Sequence, residues 1–254
     1  MKKYWVLLIC NFRKNRLQFF SFTAIIILSA LFLNLGLSIA LNFGKVYLQK
    51  WAAHKMADSS FVVYDMDYSK EAVDEIGDYP EVADIEVRDC SYLYGEFSVG
   101  DDVRVAMPMV VYNRDDRHAM NNYLLVESMP SDANNAAYVS YWFKTDKGCR
   151  LGDTLVYRTA SATYEFTIAG FVEDLQYGNN NCGGIAIHMS QKCYEAFAKS
   201  AEPGLSAKAI NIRTAEFDQG EAVYQKALQR MSGDWSFAYQ YNSSHYEWNE
   251  SART

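Results

Sequence analysis

The chain has 254 residues, half of them hydrophobic and 15% aromatic, with 24 Lys and Arg against 31 Asp and Glu. That length fills one large core or two small ones, and the apolar content excludes a disordered chain. A net charge of −7 excludes a general nucleic-acid binder, whose phosphate contacts need a basic footprint.

The charge is divided along the chain. Residues 1–45 carry Lys2, Lys3, Arg13, Lys14, Arg16 and Lys45 and no acid, which leaves 18 bases against 31 acids in the remainder. A basic, oily start is joined to an acidic, tyrosine-rich body. From Leu17 to Gly44 no side chain is charged, and the apolar heart runs from Phe19 to Phe43. As a helix it would reach ~37 Å, enough to cross a ~30 Å hydrocarbon core with some tilt. Ser29, Asn34, Gly36, Ser38 and Asn42 either bond locally or face another helix, where small and polar residues aid packing. The Lys and Arg excess before Gln18 places the N-terminus in the cytosol and the acidic body outside. The apolar run is longer than the ~7–15 residues of a signal peptide, although Ser38-Ile39-Ala40 offers a small-residue cleavage site. Tyr4–Cys10 with Asn11–Arg16 reads as a short interfacial segment under the membrane, or as a flank that only sets topology.

Lys45–Ala57 continues as a helical stalk. Phe61–Asp67 reads as a strand. Ser69 is the N-cap of a helix over Lys70–Ile76, with Ala72, Val73 and Ile76 on one face. Gly77–Pro80 ends it. Val82–Val87, Tyr92–Val99 and Val103–Tyr112 follow as strands. Ala136–Val139 is a short strand, and Ser140 a cap for a turn through Phe143. Thr154–Arg158 and Thr163–Val172 form a hairpin across Thr159–Ala162. Gly178–Gly184 is a loop and Gly184–His188 a strand. Ser190 caps a helix through Ala198, and Ala207–Arg213 is a strand. Asp218 with Glu221 opens a helix in the manner of a capping box, with Ala222, Val223, Ala227, Leu228 and Met231 as its stripe. Trp235–Tyr241 closes the body.

Catalytic patterns are lacking. His54, His118, His188 and His245 are not spaced as zinc ligands, and no HExxH, phosphate loop or GxSxG elbow occurs. Asp101-Asp102, Asp115-Asp116 and Glu173-Asp174 could ligate a hard cation but read as solvated turns, because such a cage needs six or more oxygens. No catalytic, cofactor-binding or metal-binding residue is therefore expected, and no cofactor. Cys90, Cys149, Cys182 and Cys193 would lie outside the cytosol, where they either pair, with Cys182–Cys193 the favoured bridge, or stay reduced and buried. The tyrosines at Tyr92, Tyr94 and Tyr239–Tyr246 suit a contact face or a half-buried sheet.

Three stretches carry a resemblance. Asn11-Phe12-Arg13-Lys14-Asn15-Arg16 ahead of a long span resembles the approach to the first helix of FtsX-like, MacB-type ABC transporter permeases. Val139-Ser140, then Gly152-Asp153, then Phe166-Thr167-Ile168-Ala169-Gly170-Phe171-Val172 are similar, in that order, to motifs of the same family's extracytoplasmic domain. Tyr246–Thr254 looks like the polar lead into the family's second membrane helix.

The resemblance implies an α+β fold: one N-terminal transmembrane helix, then a mixed α+β extracytoplasmic domain with a smaller β-rich lobe. The expected divisions are a cytoplasmic flank at 1–18, a transmembrane helix at 19–43, a helical stalk at 44–57, the extracytoplasmic domain at 58–245 with its β-rich lobe at about 126–200, and the lead into a missing second span at 246–254. It implies the N-terminal portion of a permease subunit in the plasma membrane. A cytosolic ABC ATPase, further permease helices or a second permease subunit, the bilayer, and an extracytoplasmic protein or substrate would be its partners. The other reading is a single-pass, membrane-anchored extracellular sensor or ligand-binding module.

Overall fold

The structure is a computed structural model that describes residues 16–100, 104–179, 182–216, 219–231 and 237–242. It divides into two compact units: an N-terminal unit that the helix fills as far as Gln49, and a body over Lys50–Glu250.

Helix α1 (Arg16–Ala53) is 38 residues long. Its apolar side chains are exposed all round, from Phe20 through Leu33 and Leu41 to Val46. A helix oily on every face and uncovered by protein has lipid as its natural solvent. Among the described residues it is the one helix long and apolar enough to cross a membrane. The carboxamide of Asn42 donates to the Ser38 carbonyl at 2.8 Å, which satisfies that polar group within the helix itself.

The body is built on one sheet. In chain order its elements are β1 (Ser59–Tyr64), α2 (Lys70–Gly77), β2 (Val82–Leu93), β3 (Glu96–Val99), β4 (Val105–Ala106), β5 (Met109–Asn113), β6 (Leu124–Ser128), β7 (Ala136–Ser140), α3 (Trp142–Thr145), β8 (Thr154–Arg158), β9 (Thr163–Glu173), β10 (Ile185–Met189), α4 (Gln191–Ser200), β11 (Ser206–Thr214), α5 (Gly220–Met231) and β12 (Phe237–Asn242). The strand order is β12-β1-β11-β2-β5-β10-β7-β9-β8-β3-β4, with β6 paired to β9. Pairing is antiparallel except for β5 with β10 and β7 with β9. The α+β reading is thus the fold observed.

Alternation along the strands sorts residues between the two faces. On β1, Phe61 and Val63 join Ala72, Val73 and Ile76 of α2 and Val223, Ala227 and Met231 of α5, whereas Val62 lies in the opposite layer with Cys90, Tyr112 and Tyr177. A third and larger cluster takes in β7, β8, β9 and β10, where Leu155, Tyr157, Phe166, Ile168, Phe171 and Ile187 are almost wholly buried. Each such side chain contributes roughly 1.5–3 kcal/mol.

Several readings land closely. Ser69 caps α2 by accepting from the Ala72 amide, and Ser190 caps α4 by accepting from Cys193. The hairpin of β8 and β9 pairs Leu155 with Phe166 and Tyr157 with Tyr164. Others are corrected. The strand expected over Phe61–Asp67 stops at Tyr64, and Asp65–Asp67 forms a single 3-10 turn. The strand expected over Tyr92–Val99 breaks at Gly95, where a Cβ would lie 2.1 Å from the Arg158 carbonyl oxygen. Val103–Tyr112 is divided by Pro108, which has no N–H for a ladder. Ser140 does not cap α3; Tyr141 occupies the cap position without a side-chain bond. On α5, Ala222 is exposed, and Tyr224 turns inward to stack on Phe61 at 5.3 Å. Strand β6 was not foreseen. Asp101-Asp102, Asp218, His245, Tyr246 and the flank 1–15 lie outside the described residues.

Candidate functional site

The end of α1 is anchored in the body by three devices. The first is its own C-terminus. The amide of Met56 donates to the Trp51 carbonyl and that of Lys55 to Ala52, both at 3.1 Å. This is the six-to-one and five-to-two pattern of a Schellman motif, which requires a left-handed residue after the cap. Lys55 fills that position with φ 48°. A lysine there gives up the ease with which glycine adopts this conformation.

The second device is an ion pair. Lys50, in the last turn of α1, holds both carboxylate oxygens of Glu173 at 2.6 and 2.8 Å. Glu173 is the final residue of β9. Both side chains are partly exposed, which keeps the pair in the range of about 1 kcal/mol or less.

The third device is the segment 114–123 between β5 and β6. It lies against the helix end: the amides of Asn121 and Asn122 donate to the carbonyls of Lys55 and His54 at 3.0 and 2.8 Å. Nδ1 of the fully buried His54 meets the Asn122 carbonyl at 2.7 Å. Asn121, with φ 51°, is the hub. Its carboxamide oxygen accepts from the Ala57 amide at 2.8 Å. Its Nδ2 faces Gln176 Oε1 at 2.9 Å, Asn211 Oδ1 at 3.0 Å and Ser60 Oγ at 3.2 Å. Ser60 and Asn211 are themselves bonded at 2.8 Å across β1 and β11. A single side chain thus joins the helix end to the sheet and to the turn after β9.

The segment has its own anchors. Asp115 accepts from the Gln191 amide at the start of α4 at 2.7 Å. The carboxylate of Glu86 on β2 accepts from the amides of Ala119 and Met120. The side chain of Met120 is wholly buried. Beside it Asp58 receives the amide and hydroxyl of Thr214 at 2.8 and 2.9 Å. Burial pushes the Asp58 carboxyl up, and those two bonds and Arg213 oppose it. Arg213 donates to the Lys55 carbonyl at 3.0 Å. An open groove of about 290 Å³, lined by Trp51, Lys55, Met56, Asp58 and Arg213 among others, lies along this edge.

The residues singled out from the sequence now have places. Asp115-Asp116 is the exposed turn expected, whereas Glu173-Asp174 is a partly buried strand end. Asp174 accepts from the amides of Gln176 and Tyr177 and faces His188, while Asp116 takes the carboxamide of Asn113. Cys90, Cys149, Cys182 and Cys193 are buried thiols. Cys193 donates to the Ala133 carbonyl at 3.3 Å, so the Cys182–Cys193 bridge is not formed. Burial pushes the Cys90 thiol up, away from any reactive thiolate. Tyr92 is buried and Tyr94 exposed. No cluster of three metal-ligating side chains occurs among the described residues. The role of 114–123 was missed because its polar composition reads only as a loop. Two consecutive asparagines, a residue type that tolerates left-handed backbone, were its one sequence signal.

Of the three stretches that carry the resemblance, the first but for Arg16 and the last lie outside the described residues, and the motifs of the second come together. Val139-Ser140 ends β7, Gly152-Asp153 leads into β8, and Phe166–Val172 forms most of β9, which pairs with both. The sequence matches no family model and no curated protein. Solved structures do match. One is the periplasmic region of MacB from Actinobacillus actinomycetemcomitans, at 9% identity and TM-score 0.35, with 74% of this chain and 89% of that chain covered. Another is a domain named as that of a permease protein from Porphyromonas gingivalis, at 15% identity and TM-score 0.33, with 69% and 84% covered.

Proposed function

We propose that the chain is the N-terminal portion of an ABC transporter permease subunit, held in the plasma membrane by α1 with its N-terminus in the cytosol. The body is its extracytoplasmic domain. It binds a substrate or partner protein and exchanges conformational change with a cytosolic ATPase through the end of α1. Further permease helices, or a second permease subunit, complete the assembly. No residue is assigned to bond-making chemistry.

One observation carries the reading. The strand formed by the longest resemblance motif ends in Glu173, and Glu173 grips Lys50 in the last turn of the apolar helix. A domain that receives motion from a membrane helix needs its sheet tied to that helix by several bonds at once. A tethered sensor on a loose linker does not.

The test has two arms in the native membrane. Protease added to intact cells or spheroplasts should digest the body and spare residues 1–43. The chain should also co-purify in mild detergent with an ABC ATPase whose ATP hydrolysis changes when Lys50→Glu is introduced. A body protected from external protease overturns the orientation. A body that is accessible, in a chain that purifies without an ATPase and binds its ligand alone, favours the anchored sensor instead.

A further inference from the structure

We infer that segment 114–123 is a strap which holds the end of α1 and releases it when His188 takes up a proton. The inference goes beyond the permease reading and survives its failure, because it concerns the body alone.

The geometry is a column of rings and cations. The Arg88 guanidinium lies 4.3 Å from the centre of the Tyr112 ring. Tyr112 stacks on His188 at 5.7 Å, the Tyr123 ring meets His188 at 4.2 Å with a 40° tilt, and Tyr123 stacks on His118 at 6.4 Å. Arg88, Tyr112 and His188 belong to the sheet, on β2, β5 and β10. Tyr123 and His118 belong to the strap. Contact between the Tyr123 and His188 rings therefore seals the strap onto the sheet. The same strap carries Asn121 and Asn122, whose amides hold Lys55 and His54.

His188 is 2% exposed. Its Nε2 lies 3.3 Å from Asp174 Oδ2, and its Nδ1 has no hydrogen-bond partner among the described residues. The groups around it come from every neighbouring element. Arg88 and Cys90 stand on β2 and Tyr112 on β5. His118 and Tyr123 stand on the strap, and Asp174 and Tyr177 in the turn after β9. Tyr138, its register partner on β7, carries the Arg114 guanidinium at 4.2 Å. At His188 the Asp174 carboxylate is thus set against Arg88 and a second histidine, His118, which Glu86 and Asp116 face in turn. A proton on His188 places a new cation in this buried column. The flanking tyrosine faces attract it, but burial and the existing cations work against it.

Burial holds His188 below its ordinary value, Arg88 and His118 push the same way, and the bond to Asp174 opposes them. A histidine depressed in the folded state stabilises that state in full above its unfolded value near 6.5. The contribution is lost as the pH falls through that value toward the lower folded one. Acid therefore loosens the strap, and neutral pH fastens it.

Hydrogen exchange by mass spectrometry on the full chain in detergent micelles tests this, at pH 7.5 and pH 5.0 with correction for intrinsic rates. Protection of the 119–123 amides should fall about ten-fold or more at the lower pH, while the core amides of β9 keep theirs. In His188→Gln the fall should vanish, and in His118→Gln it should persist. No fall in the native chain, or an equal fall in His188→Gln, overturns the proposal. Should His188→Gln not fold, the imidazole resonances of the native chain decide: titration of His188 at or above 6.5 overturns the inference, and titration below it sustains it.

Discussion

The backbone amide of Asn121 donates to the carbonyl of Lys55 at 3.0 Å, and these two are the non-glycine residues of positive φ among those described. Two left-handed residues, one closing the helix and one in the segment laid across it, meet at a single hydrogen bond. Strained backbone persists only where its surroundings over-determine it. Here the surroundings are the Schellman bonds on one side and the carboxamide hub on the other.

The hub predicts a graded pair of variants. Asn121→Ala loses the side-chain bonds to Ala57, Gln176, Asn211 and Ser60 and leaves an L-residue without a local bond in left-handed backbone. We expect a cost of about 2–4 kcal/mol in the urea unfolding of the body. Asn121→Gly relieves the backbone and still loses the bonds, so its cost should be smaller by about 1 kcal/mol. Equal costs for the two would mean that the conformation at this residue is not under strain.

Lys55 predicts the opposite sign. Its left-handed position calls for glycine, and its side chain is exposed. Lys55→Gly should stabilise the body by about 0.5–1 kcal/mol. Lys55→Val should cost at least about 1 kcal/mol, because a branched Cβ worsens the clash. Thermal unfolding of the two variants, compared with the parent, reads both effects.

The cysteines give a chemical check. Cys90 lies in the layer with Tyr112, and Cys193 stands on the buried face of α4 with its thiol on the Ala133 carbonyl. Neither should react with iodoacetamide in the folded chain, and both should react in urea. Mass spectrometry of the digested protein would show them as modified thiols, without a peptide linked through Cys193 to Cys182. Such a linked peptide in protein from the native membrane would restore the bridge that the sequence favoured.

The parts of the fold that were legible share a local cause. Ser69 and Ser190 cap their helices because a hydroxyl ahead of an apolar stripe has one nearby use. Thr163–Ile168 alternates because one side packs on the core, whereas Ala169–Val172 is buried on both faces of the sheet. The parts that were not legible depend on distant residues. Strand β6 exposes Leu124, Leu125 and Val126 on an edge, so its composition shows no alternation. Gly95 looked like a residue within a strand, and its meaning rests on Arg158, far along the chain. Glu173-Asp174 resembled a wet turn because the partners that dry it, Lys50 and His188, lie at remote positions. Asn121 could be read as tolerant of left-handed backbone, but not as the residue on which four elements converge.

The central claim is that motion of the membrane helix and of the body is exchanged at the end of α1. The most direct measurement is hydrogen exchange at 54–57 and 119–123 in the chain reconstituted in lipid nanodiscs with the ABC ATPase proposed as its partner, with and without ATP and vanadate. The account predicts that trapping the ATPase changes protection at the amides of Met56, Asn121 and Asn122, and that Lys50→Glu or Asn121→Ala weakens the change. Unaltered exchange in this region, in a complex whose ATPase is shown to be trapped, would contradict it.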